Sequence, residues 1–217
     1  MNKKYFASDN YSPVDPFIME QILICNNNYA KSYGNDIYTQ ELNHEVKRVF
    51  GENATIYPTL TGTGSNIIAL QTISKRHQAV VAPATSHINV DEGGSPEKFG
   101  IKIYPVQTKD GKLDPISLST QAWGYGDVHR AQPSILSISQ STELGTVYKI
   151  NELKALITEA KKRGMLIHMD GARLFNAAST LKTNIKEFTT DLGVDILALG
   201  GTKNGALAAE AVVLLNQ

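Results

Sequence analysis

Short apolar runs recur along the chain, each closed by glycine, proline, aspartate or asparagine. They are Ala54–Tyr57, Ala79–Ala82, Ile101–Val106, Ser134–Ser139, Met165–Met169, Ile196–Leu199 and Ala211–Leu215. Runs of this length with such boundaries are strand-like. Several are apolar nearly throughout, which fits strands covered on both faces. Between them apolar residues return at helical spacing. Asp15–Asn26 carries Phe17, Ile18, Ile22 and Leu23, and Thr39–Phe50 carries Leu42, Val46, Val49 and Phe50. Ser65–Ser74 carries Ile67, Ile68, Leu70 and Ile73, and Asn151–Arg163 carries Leu153, Leu156, Ile157 and Ala160. Asn151 suits an N-cap and Gly164 the residue just past the helix end. The alternation predicts an α/β domain, a mostly parallel seven-stranded sheet with helices on both faces. No repeat, low-complexity tract or linker divides residues 1–217, so one domain is expected, with an N-terminal arm over about residues 1–12.

Charge adds an exclusion. Lys plus Arg and Asp plus Glu number 21 each, so the formal net charge is zero. Nothing in that balance, nor in the longest basic run, Lys161-Lys162-Arg163, points to nucleic acid or an anionic membrane as partner. No segment approaches the roughly 18 apolar residues of a membrane span. Met1–Tyr5 carries charge with no apolar stretch behind it, unlike a secretory leader. The single cysteine, Cys25, excludes an intrachain disulfide and fits a reducing compartment, so a cytoplasmic protein is expected. Cys25 ends the apolar stretch Gln21–Cys25 and is expected to be a buried small hydrophobe.

Four local patterns carry candidate chemistry. His168-Met-Asp170-Gly-Ala-Arg173 places a carboxylate at the end of an apolar strand, where ligand sites of open α/β sheets gather. The alternative is that Asp170 caps the next helix and pairs with Arg173. Leu199-Gly-Gly-Thr-Lys203-Asn-Gly205 presents a lysine after two glycines that allow close backbone approach. Partial desolvation there would favour a free amine able to attack carbonyl groups; otherwise Lys203 is a solvated loop residue. Thr61-Gly62-Thr63-Gly64-Ser65-Asn66 is a hydroxyl-rich turn opening a helix, where free backbone amides attract anions. A dinucleotide motif would need glycine at Ile67, and a P-loop would need a following Gly-Lys-Ser/Thr. A phosphate monoester cradle remains, beside a plain capped helix start. Among the histidines, His87 and His129 lie near expected strand ends, His168 lies within a strand and reads as structural, and His44 and His77 read as exposed. None has metal-ligand spacing, so no metal is expected. An amine, a strand-end carboxylate, a phosphate cradle and an imidazole together meet the needs of pyridoxal phosphate (PLP), whose ring is an electron sink when its nitrogen is protonated.

The chain resembles the threonine aldolase / β-eliminating lyase family of fold-type I PLP enzymes. The matching stretches are Ala7–Asn10, Ser32–Gly34, Thr61–Asn66, Ser86–Glu92, Thr142–Thr146, His168–Leu174 and Gly200–Gly205, in the family's order. The likeness is greatest to the low-specificity L-threonine aldolase-like branch. It implies Lys203 as the lysine that holds PLP, Asp170 as partner of the pyridine nitrogen, and Gly62, Thr63 and Gly64 as the phosphate loop. It implies His87 as the imidazole stacked on the ring and assisting proton transfer. Ser8 and Arg173 would hold the substrate carboxylate, with Arg173 also near the cofactor, and His129 would lie near the substrate hydroxyl. Tyr33 matches a position that approaches the site from a neighbouring subunit, which implies a homodimer or homotetramer.

The implied reaction is retro-aldol cleavage of L-threonine or L-allo-threonine to glycine and acetaldehyde. A base takes the β-hydroxyl proton as the Cα–Cβ bond breaks; His87, His129 or a bound water would serve. Family members continue into a smaller C-terminal domain, and this chain is expected to lack it. One partner of the substrate carboxylate would then be missing, and surface normally covered would be exposed. Activity of this chain alone is left open. Two other readings stay open: a PLP lyase that β-eliminates another amino acid, and a non-catalytic remnant that keeps the fold.

Overall fold

Aliphatic and β-branched residues build the centre of the molecule as seven strands. They are β1 Thr55–Thr59, β2 Gln78–Pro83, β3 Lys102–Val106, β4 Gln132–Ser139, β5 Leu166–Gly171, β6 Ile196–Gly200 and β7 Glu210–Leu214. The structure, a computed structural model, describes residues 5–216. The first four residues of the expected N-terminal arm and the last residue, Gln217, lie outside the described residues. The strands form one sheet in the order β1-β7-β6-β5-β4-β2-β3. β7 runs antiparallel to both neighbours, and the other pairings are parallel. Each expected strand is present, and none of its ends moves by more than two residues. The mostly parallel seven-stranded α/β fold read from the sequence is the fold observed.

The helices are α1 Pro16–Cys25, α2 Ile37–Phe50, α3 Gly62–Ile73, α4 His87–Val90, α5 Ser95–Lys98, α6 Pro115–Ser119, α7 Ile150–Lys162, α8 Leu174–Leu181 and α9 Ile185–Phe188. They cover both faces. On one, Leu136, Ile138, Ile167, Met169 and Leu197 pack with Leu153, Leu156 and Ile157 of α7. On the other, Val80 and Ile135 pack with Leu70 of α3, and Ile196 and Val212 with Ala69. Ile135 and Leu136 thus face opposite ways, as the strand period of two requires, and both are fully buried. Burial on both faces is why these strands read as continuous apolar runs. Truncating such a core leucine or isoleucine to alanine costs about 2–5 kcal/mol.

Helix starts follow local rules. Asp15 accepts the Phe17 amide at 2.9 Å ahead of Pro16, Asp36 accepts the Thr39 amide at 2.8 Å, and Thr61 accepts the Gly64 amide at 3.0 Å. α7 begins one residue before Asn151, so Asn151 lies inside the helix and the cap is Lys149. The Glu152 carboxylate accepts the Lys149 amide at 2.8 Å and satisfies the donor that an asparagine cap would have left to chance. At the other end Gly164 takes the left-handed backbone (φ +70°) expected of it.

Cys25 is exposed, not buried. α1 has no buried residue at all, and Phe17, Leu23 and Ile24 stand in solvent. An apolar helix predicts burial only where another element covers it, and the described residues leave this one uncovered. Among the described residues, no helix is long and apolar enough to cross a membrane.

Strand register brings the chemistry to one edge. Ser139 lies opposite Asp170, Asp170 opposite Ala198, Gly200 opposite Glu210, and Glu210 opposite Thr59. The carboxyl ends of four strands and the start of β7 therefore meet where α3 begins.

Candidate active site

A cavity of about 340 Å³ opens at this edge. Its lining includes Gly62, Thr63, His87, Asp170, Arg173 and Lys203, which come from four separate stretches of the sequence. Gly64 lies in the same first turn of α3, its amide taken by Thr61.

The floor depends on two glycines at strand ends. A Cβ on Gly200 would lie 2.7 Å from the Ala172 Cα, and one on Gly171 would lie 2.9 Å from the Ala198 carbonyl oxygen. Only glycine lets β5 and β6 end this close together. The chain then turns through Thr202–Asn204 and carries Lys203 into the cavity, its side chain 16% exposed. Lys203 Nζ is 3.9 Å from Asp9 Oδ1.

Asp170 is buried and does not pair with Arg173. Its Oδ1 accepts the Ala172 amide at 2.9 Å, and its Oδ2 accepts Asn66 Nδ2 at 2.9 Å. The same Asn66 nitrogen donates to Glu92 Oε1 at 3.0 Å, and that oxygen is 2.8 Å from His87 Nδ1. One amide thus ties two buried carboxylates together, and the second holds the imidazole. The hydrogen bond to Glu92 raises the His87 pKa against the opposing effect of burial, helped by the charges of Glu92, Asp170 and Asp91. Burial pushes the Glu92 carboxyl up, but hydrogen bonds from His87, Thr63 and Asn66 outweigh it and leave it below its ordinary value. The pairing therefore stabilises the charged form of His87 relative to a free imidazole, with Nδ1 donating to Glu92.

Arg173 is engaged elsewhere. Its Nε donates to Asp9 Oδ2 at 2.6 Å and its Nη2 to Asp9 Oδ1 at 3.2 Å, a two-pronged ion pair. This pins the N-terminal segment beside Lys203. Burial raises the Asp9 pKa, but the Arg173 bond and charge and the Lys203 charge lower it by more.

Other expected residues lie outside the lining. Ser8 is half-buried and caps a short turn, accepting the Asn10 amide at 3.2 Å, while Asn10 itself lines the cavity. His129 is exposed in the loop before β4, its amide bonded to Asp127. Tyr33 is 98% exposed. His168 is fully buried beneath the site, 2.8 Å from the Ser137 hydroxyl, and burial pushes its pKa down to about 4.

The sequence reading assigned no role to Asn66, Glu92, Glu143, Glu210 or Asp9. Glu143, after β4, lines the cavity, and its Oε1 accepts the His87 amide at 2.9 Å and the Ser139 hydroxyl at 2.7 Å. Glu210 reaches the start of α3 from β7, its Oε2 3.3 Å from where a Cβ on Gly62 would be. Four of these five lie in the matched stretches, but nothing local marks them as facing the cavity.

The donor set fits PLP. The first turn of a 12-residue helix, with Thr63 beside it, offers amides and a hydroxyl to a phosphate. A hydrogen-bonded buried carboxylate suits a protonated pyridine nitrogen, and Lys203 supplies the amine. A group of ≥ 3 residues suited to a metal ion is absent among the described residues.

Comparisons with known proteins agree. A family model described as beta-eliminating lyase matches residues 6–217. The low specificity L-threonine aldolase of Pseudomonas aeruginosa is 36% identical over 214 residues, covering 98% of this chain and 62% of that protein. The protein of the same name from Pseudomonas sp. is 35% identical over 214 residues, with the same coverage. Among solved structures, the threonine aldolase of Leishmania major superposes with a TM-score of 0.90 at 27% identity, over 96% of this chain and 61% of that one. The chain spans 62% of the length of these two curated relatives.

Proposed function

The chain belongs to the β-eliminating lyase family, whose members depend on PLP, and from that premise we propose that it carries the cofactor site of a lyase that cleaves L-threonine or L-allo-threonine to glycine and acetaldehyde. The observation that carries the reading is the convergence of Lys203, Asp170 and the Gly62–Gly64 turn on one cavity. The relatives named L-threonine aldolase support the choice of substrate. PLP, when bound, supplies the electron sink for the carbon left behind as the Cα–Cβ bond breaks.

In this reading Lys203 holds the cofactor covalently, and Gly62, Thr63 and Gly64 hold its phosphate. Asp170, fixed by Asn66 and the Ala172 amide, holds the proton on the pyridine nitrogen. His87 covers the ring, kept in place by Glu92. Arg173 takes the substrate carboxylate with Ser8, which requires it to share or release Asp9. His129 and Tyr33, both exposed in this chain, reach a site only across an interface, so the reading includes a homodimer or homotetramer. The single cysteine fits a cytoplasmic location.

The test is the visible spectrum of the purified chain with added PLP, beside Lys203→Ala, followed by product analysis. A band of lysine-bound cofactor, lost in Lys203→Ala, and acetaldehyde released from L-threonine are the expected results. No band in either protein would overturn the cofactor assignment. Pyruvate and ammonia from L-serine, without acetaldehyde from L-threonine, would replace the retro-aldol reading with β-elimination.

A further inference from the structure

The N-terminal segment brings a carboxylate to two cations that line the cavity, Arg173 and Lys203. Asp9 accepts from Arg173 Nε and Nη2, at 2.6 and 3.2 Å, and its Oδ1 lies 3.9 Å from Lys203 Nζ. Among the described residues neither cation pairs with another carboxylate. The other acids around the cavity are engaged elsewhere. Asp170 is held by Asn66 and the Ala172 amide, Glu143 by the His87 amide and the Ser139 hydroxyl, and Glu92 by Asn66 and His87. Glu210 reaches the Thr202 amide at 3.4 Å, beside Gly62, at the end that suits a phosphate. Asp9 is held differently. It comes from outside the sheet, and its ion pair is partly exposed at both ends. The Asp15 amide ties its segment to the Gly205 carbonyl at 2.9 Å, just past the turn that carries Lys203. Asp9 is therefore tethered beside the cavity but not locked there: freeing it breaks a solvent-screened pair, not a buried one.

An amino acid brings the same chemical group. Its α-carboxylate is matched to the fork of a guanidinium, and the Nε–Nη2 edge of Arg173 is taken by Asp9. The remaining edge belongs to the same cation, whose charge Asp9 offsets, so a carboxylate arriving there also meets a weaker field. Resting on the reading of the chain as a PLP lyase acting on an amino acid, we propose that Asp9 is a tethered competitor for Arg173. It occupies the guanidinium in place of the substrate carboxylate and lowers the affinity for substrate and glycine alike. The charges of Lys203, His87, Asp170, Glu143 and Glu210 act on the ligand with or without Asp9. They set the affinity itself, and Asp9 sets the change seen when its charge is removed.

The experiment uses the full chain loaded with PLP and reads binding from the visible spectrum, not turnover. Wild type, Asp9→Asn and Asp9→Ala are titrated with L-alanine and with L-alaninamide, which keeps the amine and replaces the carboxylate by an uncharged amide. The ratio of the two affinities, compared between proteins, isolates the carboxylate. It is expected to rise about fivefold in favour of L-alanine in both variants, the scale of a partly exposed ion pair. A ratio unchanged or lowered in a variant that takes up PLP would overturn the proposal. Asp9 would then aim Arg173 and not block it, and the amino-acid lyase reading would stand. Loss of PLP uptake in both variants would also overturn it, because Asp9 would then serve the cofactor or the fold. A wild-type spectrum that responds to neither ligand would overturn the lyase reading and this proposal with it.

Discussion

Glu92 and His87 form a carboxylate–imidazole pair: Glu92 Oε1 lies 2.8 Å from His87 Nδ1, and the Glu92 side chain is only 1% exposed. A buried acidic partner on one ring nitrogen fixes the orientation of the imidazole and the nitrogen that carries the proton. The pair has a defined pH signature. His87 has its pKa raised in the folded chain, so its contribution to stability is present in full below its unfolded value and is lost as pH rises through the raised folded value. Glu92 has its pKa lowered, so its contribution is present above its unfolded value and is lost as pH falls through the depressed one. In Glu92→Gln the Glu92 dependence should vanish, that of His87 should weaken, and the His87 ring should titrate at lower pH, followed by NMR. An unchanged His87 midpoint would mean that Glu92 does not hold the proton there.

Asp9 and Arg173 tie the N-terminal segment to the start of α8. The pair is partly exposed, with side chains 36% and 27% accessible, so it adds little to global stability. Its effect is local. Asp9→Ala is expected to leave the melting temperature close to wild type while raising amide exchange over residues 8–15. Because the Asp9 pKa is depressed, the wild-type segment should loosen in the same way only as pH falls below the ordinary carboxylate range. Equal protection in mutant and wild type at neutral pH would sink this account.

Gly200→Ala places a Cβ 2.7 Å from the Ala172 Cα and 3.2 Å from the Ala172 carbonyl oxygen. Both are backbone atoms, so β5 and β6 must separate at the cavity floor. Overpacking of this kind costs about 1–3 kcal/mol, and each kcal/mol lowers Tm by roughly 2–4 °C in a chain of this size. Calorimetry on the two proteins checks it, and an unchanged Tm would show that the strand ends yield freely.

Tyr148 is fully buried, and its hydroxyl accepts the Leu113 amide at 2.7 Å. Burial pushes its phenol pKa up, so the hydroxyl stays neutral through the ordinary range. Tyr148→Phe keeps the ring and strands the amide, which should cost about 1–3 kcal/mol in chemical denaturation. A loss near zero would mean that water reaches the Leu113 amide in the variant.

The sequence by itself determined the seven strands, four main helices and three cavity groups. Strand and helix periods are local: Leu136 and Ile167 are apolar because both sheet faces are covered, and that shows in the runs containing them. Lys203, Asp170 and the Gly62–Gly64 turn were legible because strand ends and helix starts are where an α/β sheet gathers its ligands. Tertiary structure decided the rest. Asn66 and Asp170 are 104 residues apart, Glu143 and His87 56, and Arg173 and Asp9 164. Which carboxylate receives a given donor depends on strand order and register, and a residue's immediate neighbours do not encode these. The same reason governs α1: its apolar sequence specifies a helix, but whether Cys25 and Leu23 are buried depends on which element packs over them, and that is a property of the assembled fold.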